Sequence, residues 1–191
     1  MHALKADTYR EFGRFSGWLL LKGVASHPAF RVVVTLRCCQ AAARWPPPLR
    51  WLLLTPARVL HRLASQWAGV ELPWRTSVAP GLALTHGRGI VVNAGARIGS
   101  NVTLFHGVTL GQRDHIDNEG RRLTTYPVIE DEVWIGPHAI VVGGVTIGQG
   151  SRIAGGAYVY ESIPPYSMVL GNPGKIVKNN CMPDVDNRYV A

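Results

Sequence analysis

The chain has 191 residues, with 21 Gly, 13 Pro and a formal net charge of +8, which allows one or two domains and an adequate buried core. Cys38, Cys39 and Cys181 make an odd set with no CxxC pair, which argues against a disulfide framework and for a reduced, cytoplasmic compartment. The charge is uneven: residues 1–72 carry ten Lys/Arg against Asp7, Glu11 and Glu71, whereas the remaining 119 residues are nearly balanced.

Residues 8–72 read as helical. Phe15, Trp18, Leu19 and Lys22 have helical spacing, and His27-Pro28 opens a second segment, with proline suited to a first turn. That segment runs from Ala29 to Trp45, where Pro46-Pro47-Pro48 stops it. Thr55-Pro56 reads as a cap and first-turn proline for a third helix through Trp67, with Val59, Leu60, Leu63 and Trp67 on one stripe and Arg58, His61 and Arg62 beside it. Basic apolar helices of this kind either bundle, within or across subunits, or attach residues 8–67 peripherally to an anionic membrane. No signal peptide is expected, because Lys22, Arg31, Arg37 and Arg50 interrupt the apolar stretches, and none approaches the ~18 residues of a membrane span. No nucleic-acid partner is expected.

From Ile129 to Pro164 a large aliphatic residue returns every sixth position: Ile129, Ile135, Val141, Ile147, Ile153 and Val159. Four places after each stands a small or β-branched residue, Val133 through Ile163. Neither a helix nor a simple strand has this period. It predicts a left-handed parallel β-helix, each hexad being one face of a triangular coil, with Gly136, Gly148 and Ala154 where the chain turns. Earlier hexads at Val78, Leu84 and Ile90 slip by two before resuming at Ile98, Leu104 and Leu110. The polar stretch 112–126 cannot form buried hexads and should project as a loop. Gly171-Asn172-Pro173-Gly174 reads as a terminating turn and return. The expected fold is therefore mainly β: a helical region 1–72, a left-handed β-helix 73–178, and an aperiodic tail 179–191, mobile or draped over a neighbour.

The segments 85–111, 130–165 and 171–177 resemble the hexapeptide-repeat acyltransferases, the first half resembling the serine acetyltransferase branch and the whole pattern the exopolysaccharide (colanic-acid type) members. The resemblance implies acyl transfer from acetyl-CoA, a homotrimer, and a groove between adjacent subunits. It places the general base at His86, a role that suits imidazole because its pKa lies near neutrality. Fifteen residues upstream it places a carboxylate, here Glu71, to orient that base. His115, twelve residues before Pro127, is a rival base by its likeness to galactoside-type acetyltransferases. His106, Thr85, Arg113 and Tyr126 are candidate acceptor contacts, and His138 is read as structural. Gly136, Pro137, Gly155 and Gly156 would let the pantetheine arm lie along a coil edge, with Lys175 and Lys178 offered to the nucleotide phosphates.

The serine enzymes carry an Asp where Thr85 stands and an Arg-His pair where Thr125-Tyr126 stands. Those departures favour a sugar hydroxyl as acceptor, in surface-polysaccharide or lipid-linked glycan synthesis at the inner face of the membrane. Serine O-acetylation and a non-catalytic trimeric scaffold are the alternatives. A zinc site like that of γ-carbonic anhydrase needs a close H-x4-H pair, which His106 and His115, nine apart, do not form; no metal is expected.

Overall fold

The computed structural model describes residues 2–190. Four helices lead: α1 (His2–Phe12), α2 (Gly17–Ser26), α3 (Pro28–Ala42) and α4 (Leu49–Ala68). The Ser16 hydroxyl caps α2 by accepting the Leu19 N–H at 3.1 Å, Pro28 opens α3, and Gly69 ends α4 in the left-handed region at φ 65°. Two expectations need correction. The helices begin at His2 rather than residue 8, and α4 begins at Leu49 rather than near Thr55. The prolines that end α3 also open α4, and Pro56 sits inside that helix, where the missing N–H removes one bond to the carbonyl four residues back.

The buried face of α4 also differs from the expected stripe. Leu54, His61, Ala64 and Ala68 are buried, whereas Val59, Leu60, Leu63 and Trp67 are exposed. The two alanines allow α3 to pack closely, and the His61 imidazole finds the Leu72 carbonyl at 2.7 Å. The bulkier aliphatic side chains face outward.

The rest of the chain winds through three parallel sheets. The first holds β1 (Val70–Glu71), β4 (Ile90–Val92), β7 (Thr109–Gly111), β12 (Ile140–Val142) and β15 (Tyr158–Val159). The second holds β2 (Ser77–Val78), β5 (Arg97–Ile98), β10 (Val128–Ile129) and β13 (Thr146–Ile147). The third holds β3 (Ala83–Thr85), β6 (Thr103–Phe105), β11 (Trp134–Ile135), β14 (Arg152–Ile153) and β16 (Met168–Leu170), closed by the antiparallel return β17 (Lys175–Lys178). This is the expected parallel β-solenoid behind a helical region. Ile129 lies beside Ile147, Ile135 beside Ile153 and Val141 beside Val159, each 18 residues on. All six are buried, stacking like on like at the roughly 4.8 Å of paired strands.

The irregular coils are informative. Val78 pairs with Ile98 and Leu84 with Leu104, 20 residues apart, while Val92 pairs with Leu110, 18 apart. The two extra residues therefore lie between Leu84 and Val92, at the turn carrying His86, and not between Ile90 and Ile98 as the hexads suggested. The hexad count misplaces them because Ile90 and Val92 both face inward. Ile98 and Ile129 are neighbours 31 residues apart; the excess over a regular coil lies within the segment 112–126. It projects as expected, folded into an antiparallel hairpin of β8 (Arg113–Ile116) and β9 (Arg122–Thr125).

Val32, Val33, Leu36, Ala64 and Ala68 join one buried cluster with Val70, Leu72 and the coil residues. The helices thus cover the open first coil, which would otherwise expose strand edges and core. A buried ion pair fixes them there: Arg37 donates to Asp7 at 2.7 Å and to the Val78 and Ala79 carbonyls, while Asp7 accepts the Gly81 and Leu82 N–H groups. Residues 179–190 lie against their own chain. Tyr189 N–H donates to Asn101, Asp184 pairs with Arg152 at 2.8 Å, Arg188 pairs with Glu132, and the Asp186 carbonyl accepts from Arg10. Such anchoring by scattered side chains leaves no periodic trace in sequence.

Candidate functional site

One edge of the solenoid, where the third sheet turns into the first, collects most of the candidate residues. Thr85 ends β3 beside Phe105 of β6, so the residues that follow, His86 and His106, meet in adjacent coils with ring centroids 6.2 Å apart. His138 continues the column one coil further, its ring 5.0 Å from that of His106. His86 turns through the left-handed region at φ 54°, a conformation uncommon for a residue with a side chain. The two-residue insertion and this turn present His86 at the surface. His106 Nδ1 is buried and has no hydrogen-bond partner among the described residues; an orphan of this kind marks a place where a ligand or solvent group completes the set.

Beyond the histidines the same edge is built of small residues. A side chain at Gly107 would land inside the His138 imidazole, and one at Gly136 would sit 2.7 Å from the Gly155 nitrogen. The Gly156 N–H donates to the Pro137 carbonyl at 2.8 Å, and a Cβ at Gly156 would meet nothing within 4 Å. Gly136, Pro137, Gly155 and Gly156 therefore form a narrow shelf on the same edge as His86 and His106, with Gly155 and Gly156 exposed and Gly136 buried beneath them. The closing turn 171–174 stands at its end, Gly174 N–H donating to the Tyr158 carbonyl at 2.7 Å, and exposed Lys175 and Lys178 follow on β17.

The other candidates lie elsewhere. Glu71 is exposed on β1 beside Val91 and lines a cavity of about 810 Å³ with Arg58, Arg62 and Trp74. His86 lines a separate cavity of about 530 Å³ with Arg88, Glu11, His27 and Trp67. Among the described residues no hydrogen bond joins Glu71 to His86. His115 lies on the hairpin opposite Leu123, and Arg113 packs over Gly143. Tyr126 lies flat on Gly95, where an added Cβ would be 2.5 Å from its ring. The hairpin leaves the solenoid between β7 and β10, at the opposite end of the first sheet's strands from the histidine edge.

Sequence reasoning missed three groups beside His86. Glu11 and His27 form a 2.5 Å pair on the helical side of its cavity, and Arg88 lines it from the inserted turn. Glu11 and His27 lie far from the repeats, and only packing of the helices brings them there. His138, which the sequence reads as structural, joins the column beside His106; the intervening hairpin spoils the spacing that would have shown it.

Residues 126–161 match the family model described as bacterial transferase hexapeptide (six repeats). The chain is 35% identical over 124 residues to a serine acetyltransferase of Bacillus subtilis (strain 168), covering 65% of this chain and 55% of that protein. Its fold matches the serine acetyltransferase of Brucella abortus strain S19 in complex with coenzyme A, with TM-score 0.73 and 26% identity over 95% of this chain and 68% of that one. It also matches soybean serine acetyltransferase complexed with serine, with TM-score 0.72 and 26% identity over 92% and 68% of the two chains. The chain spans about half the length of the curated relatives it matches. These likenesses overturn the expected sugar acceptor and polysaccharide pathway, which rested on departures at Thr85, Thr125 and Tyr126; similarity over 124 residues outweighs three local positions. Residues 126–161 thus match the bacterial transferase hexapeptide model, and the chain shares the β-helix fold of the serine acetyltransferases it resembles.

Proposed function

We propose that the protein is an acetyl-CoA-dependent O-acetyltransferase whose acceptor is the hydroxyl of serine. The observation that carries the reading is the histidine edge: an exposed His86, stacked on a His106 with an orphan nitrogen, heads a glycine shelf long enough for a pantetheine arm. From the His86 coil to the Gly156 coil there are three steps of about 4.8 Å, so the edge from the base to the end of the shelf is roughly 15 Å. Likeness to serine acetyltransferases, solved with coenzyme A and with serine, supports both partners.

In this reading acetyl-CoA supplies an activated acyl carbon as its thioester. His86 accepts the serine hydroxyl proton as that oxygen bonds to the carbonyl carbon and the carbon–sulfur bond breaks. The proton then leaves His86 for the departing thiolate, so the products are O-acetylserine and coenzyme A. The left-handed turn fixes the His86 ring at the mouth of its cavity. The backbone of Gly136, Pro137, Gly155 and Gly156 holds the arm, and Lys175 and Lys178 meet the phosphates. Glu71 and His115 do not adjoin His86 within the chain. A homotrimer, in which a neighbour's hairpin covers the histidine edge, gives His115 and Arg113 a place in the site; Glu71, on β1, is not brought there by the hairpin.

Thiol release from acetyl-CoA, followed with DTNB and L-serine as acceptor, tests this directly. Turnover with serine is the expected result. Acetyl-CoA binding by calorimetry without serine turnover would reject the acceptor, and absence of acetyl-CoA binding would reject the enzyme class.

A further inference from the structure

Apart from Trp67, which also lines the His86 cavity, the outward stripe of α4 has no role in the proposed chemistry. Around a helical wheel, Leu52, Pro56, Val59, Leu60, Leu63 and Trp67 occupy the arc opposite the buried Leu54, His61, Ala64 and Ala68. They are strongly exposed: Leu52 71%, Leu60 59%, Leu63 57% and Trp67 79%. Over 20 residues the helix is about 30 Å long, so the stripe is continuous and far larger than an isolated surface apolar residue.

Most charges around it are positive; Glu71, in the cavity with Arg58 and Arg62, and Glu11, in the cavity with Trp67, are the acidic neighbours. Between Glu11 and Glu71 the sequence has no acidic residue, yet it carries eight Lys/Arg. Arg58 and Arg62 stand exposed on the flank of the stripe, one turn apart. Arg31 lies 5.4 Å from the ring of Trp67, and Arg50 lies 5.8 Å from that of Trp51. A second copy of the chain would bring the same cations to the contact. Nucleic acid would use the arginines but leave the aliphatic stripe uncovered. An anionic lipid surface takes both, accepting leucine and tryptophan below the headgroups and arginine among them. Among the described residues no single helix is long and apolar enough to cross a membrane, although the bent pair α2 and α3 passes that test together; the contact of α4 lies in the interface plane.

We propose that the exposed face of α4 docks the protein on an anionic lipid surface, with Leu60, Leu63 and Trp67 inserted and Arg58 and Arg62 among the headgroups. The inference is independent of the acceptor.

The test is co-sedimentation of the full chain with phosphatidylcholine vesicles and with vesicles containing phosphatidylglycerol, at low and high salt. Binding is expected only to the anionic vesicles, weakened by salt. The double variants L60E/L63E and R58E/R62E alter exposed positions, and each should lose binding at least about tenfold, with the same oligomer mass by light scattering and the same melting temperature as the parent. Absence of binding to anionic vesicles at low salt overturns the proposal, as does undiminished binding by both variants. A fall in oligomer mass in L60E/L63E assigns the stripe to a contact between copies and overturns it equally.

Discussion

A general base must be reachable by its substrate and unable to swing away from it, and the turn at His86 meets both needs. Its backbone is locked in the left-handed region, and its ring has aromatic neighbours on two sides, Phe105 at 6.4 Å and His106 at 6.2 Å. His86→Ala should lower kcat by about 10²–10⁴-fold while leaving the oligomer mass and melting temperature unchanged, because the side chain is exposed. If His115→Ala abolishes turnover and His86→Ala does not, the base lies on the hairpin. His86 was legible because a recognisable motif surrounds it. The insertion that exposes it was legible only as a slip of two, and its position became clear when Val92, not Ile90, proved to lie beside Leu110. Glu11 carried no motif, so nothing in its local sequence marked it as a neighbour of the base; Arg88, two residues after His86, was near in sequence, but the sequence reading gives it no role.

Among the elements, the junction of α3, α4 and β1 sets how firmly the helices hold the first coil. His61 Nε2–H donates to the Leu72 carbonyl at 2.7 Å, which leaves Nδ1 to accept from the Thr35 hydroxyl at 3.0 Å. Burial holds its pKa below the ordinary 6.5, against the opposing pull of the backbone carbonyl. The folded state therefore binds fewer protons than the unfolded one below pH 6.5, so stability rises with pH across that window. It is fully present above about pH 6.5 and falls as acid approaches the lowered value. Melting temperatures taken at pH 7.5 and 5.5 should drop on acidification, and His61→Gln should shrink the drop. The Asp7–Arg37 pair makes a larger contribution. Asp7→Ala would leave a buried guanidinium unpaired and two backbone N–H groups without their acceptor, at a cost of about 3–5 kcal/mol. Urea unfolding should show the loss, and the Arg37→Met/Asp7→Leu double variant should recover part of it. Neither contact was readable beforehand, because residue 7 lay outside the expected helices and the sequence gives α4 two plausible faces. The choice between them fell to Ala64 and Ala68, whose small size lets α3 approach, over the bulkier stripe that hydropathy favoured.

At the scale of the whole molecule, the regular hexads were legible because every coil repeats the same packing problem, and one solution at Ile129 fixes the next at Ile147. What a single chain cannot supply is proximity between the histidine edge and the hairpin, which leave opposite ends of the first sheet's strands. Beyond its base, where Arg113 and Thr125 pack on Gly143 and Gly144, the hairpin is largely exposed, with Ile116 and Leu123 open to solvent, as an arm made to rest on another surface would be. In the proposed trimer each site takes His86 from one subunit and the hairpin from the next, and mixed assemblies can detect that division. Two inactive variants, His86→Ala and a chain with residues 113–125 replaced by a short Gly-Ser link, are co-expressed in equal amounts. A site regains both parts only when the hairpin-deleted subunit supplies the histidine and the His86→Ala subunit supplies the arm. Random association makes that about one interface in four, so serine turnover per subunit should return to roughly a quarter of the parent value. Were base and arm to act within one chain, no combination would hold a complete site and the mixture would stay as inactive as its components.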